Sequence, residues 1–130
     1  MRYTILTTML LAAACVAPST EVPLDQDFEI ALGKTVAIAG TAQQVTFDAV
    51  TEDSRCPIDA VCVWAGNARV SLRVTAAGTD STIALNTGSE PRSASVNRFR
   101  LELRGLLPAP RAATPTPPEA YRATLRVTGT

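Results

Sequence analysis

Near its end the chain sets Tyr121, Ala123, Leu125 and Val127 in strict alternation with Arg122, Thr124, Arg126 and Thr128. A period of two suits a strand with one buried face and does not suit a helix. The pattern recurs upstream. Phe28, Ile30 and Leu32 alternate with Glu29 and Ala31, Val36 and Ile38 follow Gly33, and Val45, Phe47 and Ala49 follow a turn region at 40–44. Ala68, Val70, Leu72 and Val74 lead past Gly78 to Ile83 and Leu85, which reads as a hairpin, and Phe99, Leu101 and Leu103 alternate with arginines. Past the N-terminal run no window sustains a helical apolar period, and β-branched residues recur between turn signals. The expectation is an all-β domain over residues 27–130, an antiparallel sandwich or partly open barrel of about seven strands. Five prolines between Gly105 and Glu119 deny that segment a regular ladder. It is expected to be an extended crossover that can join the two sheets.

The 130 residues suffice for one core, and the absence of histidine removes Ser-His-Asp and Cys-His triads and the common catalytic zinc sites. Twelve Lys and Arg balance twelve Asp and Glu, so the basic excess of a nucleic-acid tracker is missing. No carboxylate pair sits in a context that marks a cleft. Neither catalysis nor a cofactor is expected.

Residues 1–14 place Arg2 beside the free amine and then run apolar and acid-free from Ile5 to Ala14. That run is too short for a bilayer span, which needs about 20 apolar residues, and has the layout of a secretory signal. It ends Leu11-Ala12-Ala13-Ala14-Cys15, which resembles the lipobox of bacterial lipoproteins, with Ala12 where Leu is commonest. The resemblance implies a diacylated Cys15 as mature N-terminus, residues 15–26 as lipidated cysteine and tether, and attachment to a membrane. Val16, in place of an inner-membrane-retaining Asp, points to the periplasmic face of an outer membrane. The alternative is ordinary cleavage after the alanines and a secreted protein. Lipidation leaves Cys56 and Cys62 as an even pair for a disulfide in an oxidising compartment, whereas secretion leaves an odd thiol.

Between Asp53 and Val70 the chain reads DSRCPIDAVCVWAGNARV. At this spacing Cys62 and Trp64 are expected to share a strand face with the indole over a Cys56–Cys62 disulfide, Pro57 stiffening the loop and Gly66 permitting the turn. A redox or metal role for the thiols is disfavoured by five intervening residues and no helix. Glu52, Asp53 and Asp59 lack the alternation of a calcium loop and read as solvated or turn-capping carboxylates. The segment resembles a group of small exported bacterial proteins, many of them lipoproteins, that share DSRCP, a second cysteine and V-W-A-G. That resemblance implies export, disulfide and fold, and carries no catalytic or ligand residue.

Residues 15–66 hold two basic and eight acidic residues, and residues 67–130 hold nine arginines and four acids. Alternation points Arg69, Arg73, Arg98, Arg100, Arg104, Arg122 and Arg126 outward. If their strands adjoin, they form an arginine face for an anionic glycan, lipid or envelope protein. Otherwise they solubilise the sheets and pair with acids such as Glu29 or Asp48 on adjacent strands. The expected function is a lipid-anchored envelope module for binding or structure. The alternatives are a secreted, protease-inhibitor-like protein with a constrained loop, and a binder of anionic envelope components.

Overall fold

A computed structural model describes residues 20–129; the expected signal segment at 1–14, Cys15 and residues 16–19 lie outside the described residues. The described chain forms β1 (Glu21–Val22), β2 (Asp27–Ala31), β3 (Thr35–Ile38), β4 (Gln43–Asp53), β5 (Ala68–Ala76), β6 (Thr79–Asn86), β7 (Ser93–Val96), β8 (Phe99–Leu107) and β9 (Arg122–Gly129). A 3-10 turn at Pro118–Ala120 precedes β9. One sheet has the order β1-β3-β4-β5-β6 and the other β2-β9-β8-β7. All pairs are antiparallel except β1 with β3. The fold is therefore the expected all-β one, with two open sheets around a shared core rather than a closed barrel.

Alternation in sequence becomes alternation in burial. In β5 Ala68, Val70, Leu72 and Val74 are buried while Arg69, Ser71 and Arg73 turn outward. Phe47, Leu72 and Leu85 from the larger sheet share one core with Ile30, Leu103 and Leu125 from the smaller. Each such side chain contributes roughly 1.5–3 kcal/mol on leaving water. The β5–β6 hairpin closes through Ala77 and Gly78, both at positive φ (49° and 79°), the mirror-image turn geometry that matches the twist of paired strands.

Five expectations need correction. The chain of 15–26 is not all tether, because Glu21–Val22 pairs with β3 and Val22 enters the core. A second unforeseen strand, β7, reads Ser-Ala-Ser-Val and lacks the large apolar side chains that mark its neighbours. The proline segment does not join the two sheets; it links β8 and β9, which are neighbours in one sheet. Nor does it begin at Gly105, because a register shift between Leu103 and Gly105 lets β8 run on to Leu107. Finally, β4 carries register shifts between Phe47 and Ala49 and between Val50 and Glu52. The first pairs Ala49 with outward-facing Ser71 and brings Val50 opposite core Val70. Ala49 is thus displaced from the inward row.

Candidate functional site

The two register shifts decide where Asp53 points. Each bulge inserts one residue into β4 and reverses which side chains face inward, so two restore the original phase. Asp53 therefore sits opposite fully buried Ala68 and aims between the sheets. There it meets Tyr121, the residue just before β9, whose Oη donates to Asp53 Oδ2 at 2.8 Å. Arg55 closes the group with a fork: Nε donates to Oδ1 and Nη2 to Oδ2, both at 2.8 Å. Its remaining donors reach the Leu106 carbonyl at 2.6 Å and the Pro108 carbonyl at 3.0 Å. Burial raises the Asp53 carboxyl's pKa, but the hydrogen bonds from Arg55 and Tyr121 and the Arg55 charge outweigh it and hold the group below its ordinary value. Burial and the Asp53 hydrogen bond raise the Tyr121 hydroxyl, which keeps its proton.

This cluster fastens two connections at one end of the sandwich, 54–67 and 108–121, and a third, 87–92, is tied to the first by Asn67 and Asn86. Backbone bonds continue the β4–β5 pairing into the first, with Ser54 N donating to Asn67 O at 2.7 Å and Cys56 N to Ala65 O at 2.8 Å. The proline connection braces it through Ile58 N to Pro110 O at 3.0 Å and Ala112 N to the Asp59 carboxylate at 2.9 Å. Asn86, 2% exposed, accepts from Asn67 Nδ2 at 2.9 Å and donates to the Pro91 carbonyl at 3.3 Å. Asn67 Oδ1 in turn accepts from Gly88 N at 2.9 Å. Cys56 and Cys62 form a disulfide with Cα atoms 5.9 Å apart. Closing so small a ring removes about 2 kcal/mol of unfolded-chain entropy. Replacing both cysteines by Ala is therefore expected to lower unfolding free energy in urea by about 2 kcal/mol while the circular dichroism of the sheets persists.

Above this braced base the tip stands clear of the domain. Val61 and Val63 are as exposed as in an extended peptide (103% and 101%), Trp64 is 82% exposed and Ile58 60%. This corrects the expected packing: Cys62 and Trp64 lie outside any strand, and the indole faces solvent instead of covering the disulfide. The alternating strand pattern ends at Asp53, and the disulfide turns the chain before another strand can pair. Pro57 and Gly66 lie in the base as expected, Gly66 at φ 72°.

Beside the loop lies an open cleft of about 240 Å³ between Pro57, Pro110 to Ala112, and Thr114 to Thr116, with Asp53, Arg55 and Tyr121 on its wall. The polar groups of that wall are engaged with one another. Glu52 accepts from Ser54, Asp59 from Ala112, and Asp53 from Arg55 and Tyr121, so the three acids near the loop act as separate brackets. Among the described residues no three Cys, Asp or Glu side chains converge as metal ligands.

The seven arginines do not make one face. Arg69 and Arg73 stand on β5 of the larger sheet, while Arg100, Arg104, Arg122 and Arg126 stand on β8 and β9 of the smaller, with Arg98 in the turn before β8. Their partners are largely local. Arg73 pairs with Asp48 at 3.1 Å, Arg126 with Asp27 at 2.7 Å, and Arg104 with Glu102 at 2.9 Å. Arg100 donates to Ser93 Oγ at 2.6 Å and Arg69 to Asn86 Oδ1 at 3.4 Å. Arg122 lies in register between Ala31 and Leu107. The outer surface of the smaller sheet thus interleaves Asp27, Glu29 and Glu102 with its arginines.

Sequence reasoning read Asp53 as a solvated or turn-capping carboxylate and missed Tyr121, 68 residues away, because nothing local marks a partner across the two sheets. It also did not single out the exposure of Ile58, Val61 and Val63 within the loop. The available signal was the uninterrupted apolar run from Ala60 to Ala65 inside a loop, with no polar alternate to make it amphipathic. No protein-family model, no curated protein and no solved structure matches the chain.

Proposed function

We propose that this chain is a non-catalytic recognition module of the cell envelope, held there by a lipid on Cys15, and that it docks through the apolar tip of its disulfide loop. The observation that carries the reading is the exposure of Ile58, Val61, Val63 and Trp64 on a loop braced at its base. Large apolar side chains held out in water mark interaction sites on soluble domains, and bracing the loop beforehand lowers the ordering cost of docking. A closed disulfide suits the oxidising compartment outside the cytoplasm. The lipobox resemblance at Leu11 to Cys15 supplies the attachment. Arginines divided between two sheets and paired with acids support solubility rather than an anionic grip.

A photo-crosslinking side chain at Val63 is expected to give adducts in intact envelopes, whereas one at Thr82, on the exposed edge strand β6, gives none. Equal labelling from both positions, or adducts from Thr82 alone, would overturn docking through the tip.

A further inference from the structure

We infer that the occupant of the tip is the headgroup layer of the bilayer itself, into which Val61, Val63 and Trp64 insert; this rests on the lipid-anchored reading above. The shape of the tip favours lipid over protein. Val61 and Val63 have no flanking wall of their own, so a protein partner would have to supply a fitted pocket, whereas lipid conforms to a convex apolar tip. Residues 56–66 contain one ionisable side chain, Asp59, and its carboxylate is already bonded to Ala112 N. Little charge is therefore desolvated on insertion. Tryptophan favours the boundary between headgroups and acyl chains. The irregular backbone of the tip limits the depth, because unpaired amides cannot enter hydrocarbon.

Topology brings the attachment and the tip together. β4 runs into the disulfide loop; β3 is antiparallel to β4 and β1 parallel to β3. Followed backward from Glu21, the chain therefore leaves along the sheet toward the loop end, with Thr20 O still accepting from Ala37 N at 3.0 Å. Glu21 lies level with Ala37 and hence with Gln44. From there to Asp53 the strand advances about 23 Å at roughly 3.3 Å per paired residue. The six residues from Glu21 back to Cys15 reach about 20 Å at most. A bilayer that holds an acylated Cys15 in this direction therefore meets the loop. Ile58, Val61, Val63, Trp64 and Leu107, the exposed large apolar side chains of the described residues, all lie at this end. The opposite end carries the connection at 23–26 and the tight turns at 40–41, 77–78 and 97–98, and among the described residues it exposes no large apolar side chain.

Trp64 is the only tryptophan, so its fluorescence reports the tip alone. The test takes the full mature chain from its native envelope, reconstituted in phosphatidylethanolamine–phosphatidylglycerol vesicles with brominated acyl chains. Emission is expected to move to shorter wavelength and to be quenched by the bromolipid. Val61→Asp with Val63→Asp should restore water-like emission without changing the urea midpoint, since neither side chain packs on the domain. A chain that carries acyl mass and floats with the vesicles while Trp64 stays open to aqueous iodide would overturn the insertion and leave the anchored module standing. A chain without acyl mass that neither floats nor changes emission would overturn both. A spectral shift produced by delipidated envelope protein but not by vesicles would overturn lipid as the occupant and replace it with a protein.

Discussion

Gly66→Ala is expected to lower the unfolding free energy by about 3–4 kcal/mol, more than loss of the disulfide, because two costs meet at one position. The backbone there has φ 72°, which a β-carbon disfavours by about 1–2 kcal/mol. The new methyl group would also fall on the Ser54 carbonyl oxygen, with the Ser54 carbonyl carbon at 2.7 Å and the Arg55 Cα at 2.9 Å, all of them backbone. Neither neighbour can give way without breaking the pairing of Ser54 with Asn67. Gly78 provides the control. Its φ is 79° but nothing lies within 4 Å of an added β-carbon, so Gly78→Ala should cost only the conformational term, about 1–2 kcal/mol. Urea unfolding of the two variants separates crowding from backbone preference. Equal costs would mean that the layering of Ser54 over Gly66 is not rigid.

Asp53→Ala is expected to cost about 3 kcal/mol, since it removes the acceptor of four hydrogen bonds, one of them from the Arg55 backbone N, and leaves a guanidinium whose side chain is 14% exposed without its counter-charge. Tyr121→Phe, which deletes one donor and keeps the ring, should cost about 1 kcal/mol. The acid limb of the stability curve gives the sign. Because the folded carboxyl lies below its ordinary value of 3.8, the unfolded chain takes up the proton first as pH falls. The contribution is complete above about pH 5 and is lost as pH drops through the ordinary value toward the lowered folded one. Asp53→Ala should therefore show its full deficit near neutrality and a shallower acid slope below about pH 4. A constant deficit down to the acid transition would mean that the Arg55 and Tyr121 bonds do not favour the charged form.

The fold was legible wherever one face of a strand is buried and one is wet. β5, β8 and β9 declare themselves because Val70, Leu72, Leu101, Leu103, Ala123 and Leu125 must all leave water, and a period of two places them together. β1 and β7 were not legible. Two residues carry no period, and Ser93 to Val96 pairs through backbone with little side-chain burial. The bulges in β4 were hidden for a related reason: Ala49 and Val50 are both apolar, so the pattern does not say which turns inward, and only the register with Ser71 and Val70 decides. At the candidate site the covalent frame was readable from Cys56, Cys62 and Gly66. The Asp53–Arg55–Tyr121 group was not, since it depends on two bulges and a contact across the sheets. Trp64 was misplaced because its spacing from Cys62 fits a strand, whereas the closed loop leaves the indole no sheet to pack on.

The docking proposed for the tip presumes an exported, acylated chain with a closed loop, and one measurement tests these together. It is the intact mass of the mature protein from its native envelope, with and without thiol alkylation under non-reducing conditions. Acyl mass on Cys15 with no alkylatable thiol is the predicted result. A chain without acyl mass whose Cys56 and Cys62 both take the alkylating agent would contradict it and return thiol or metal chemistry to the loop.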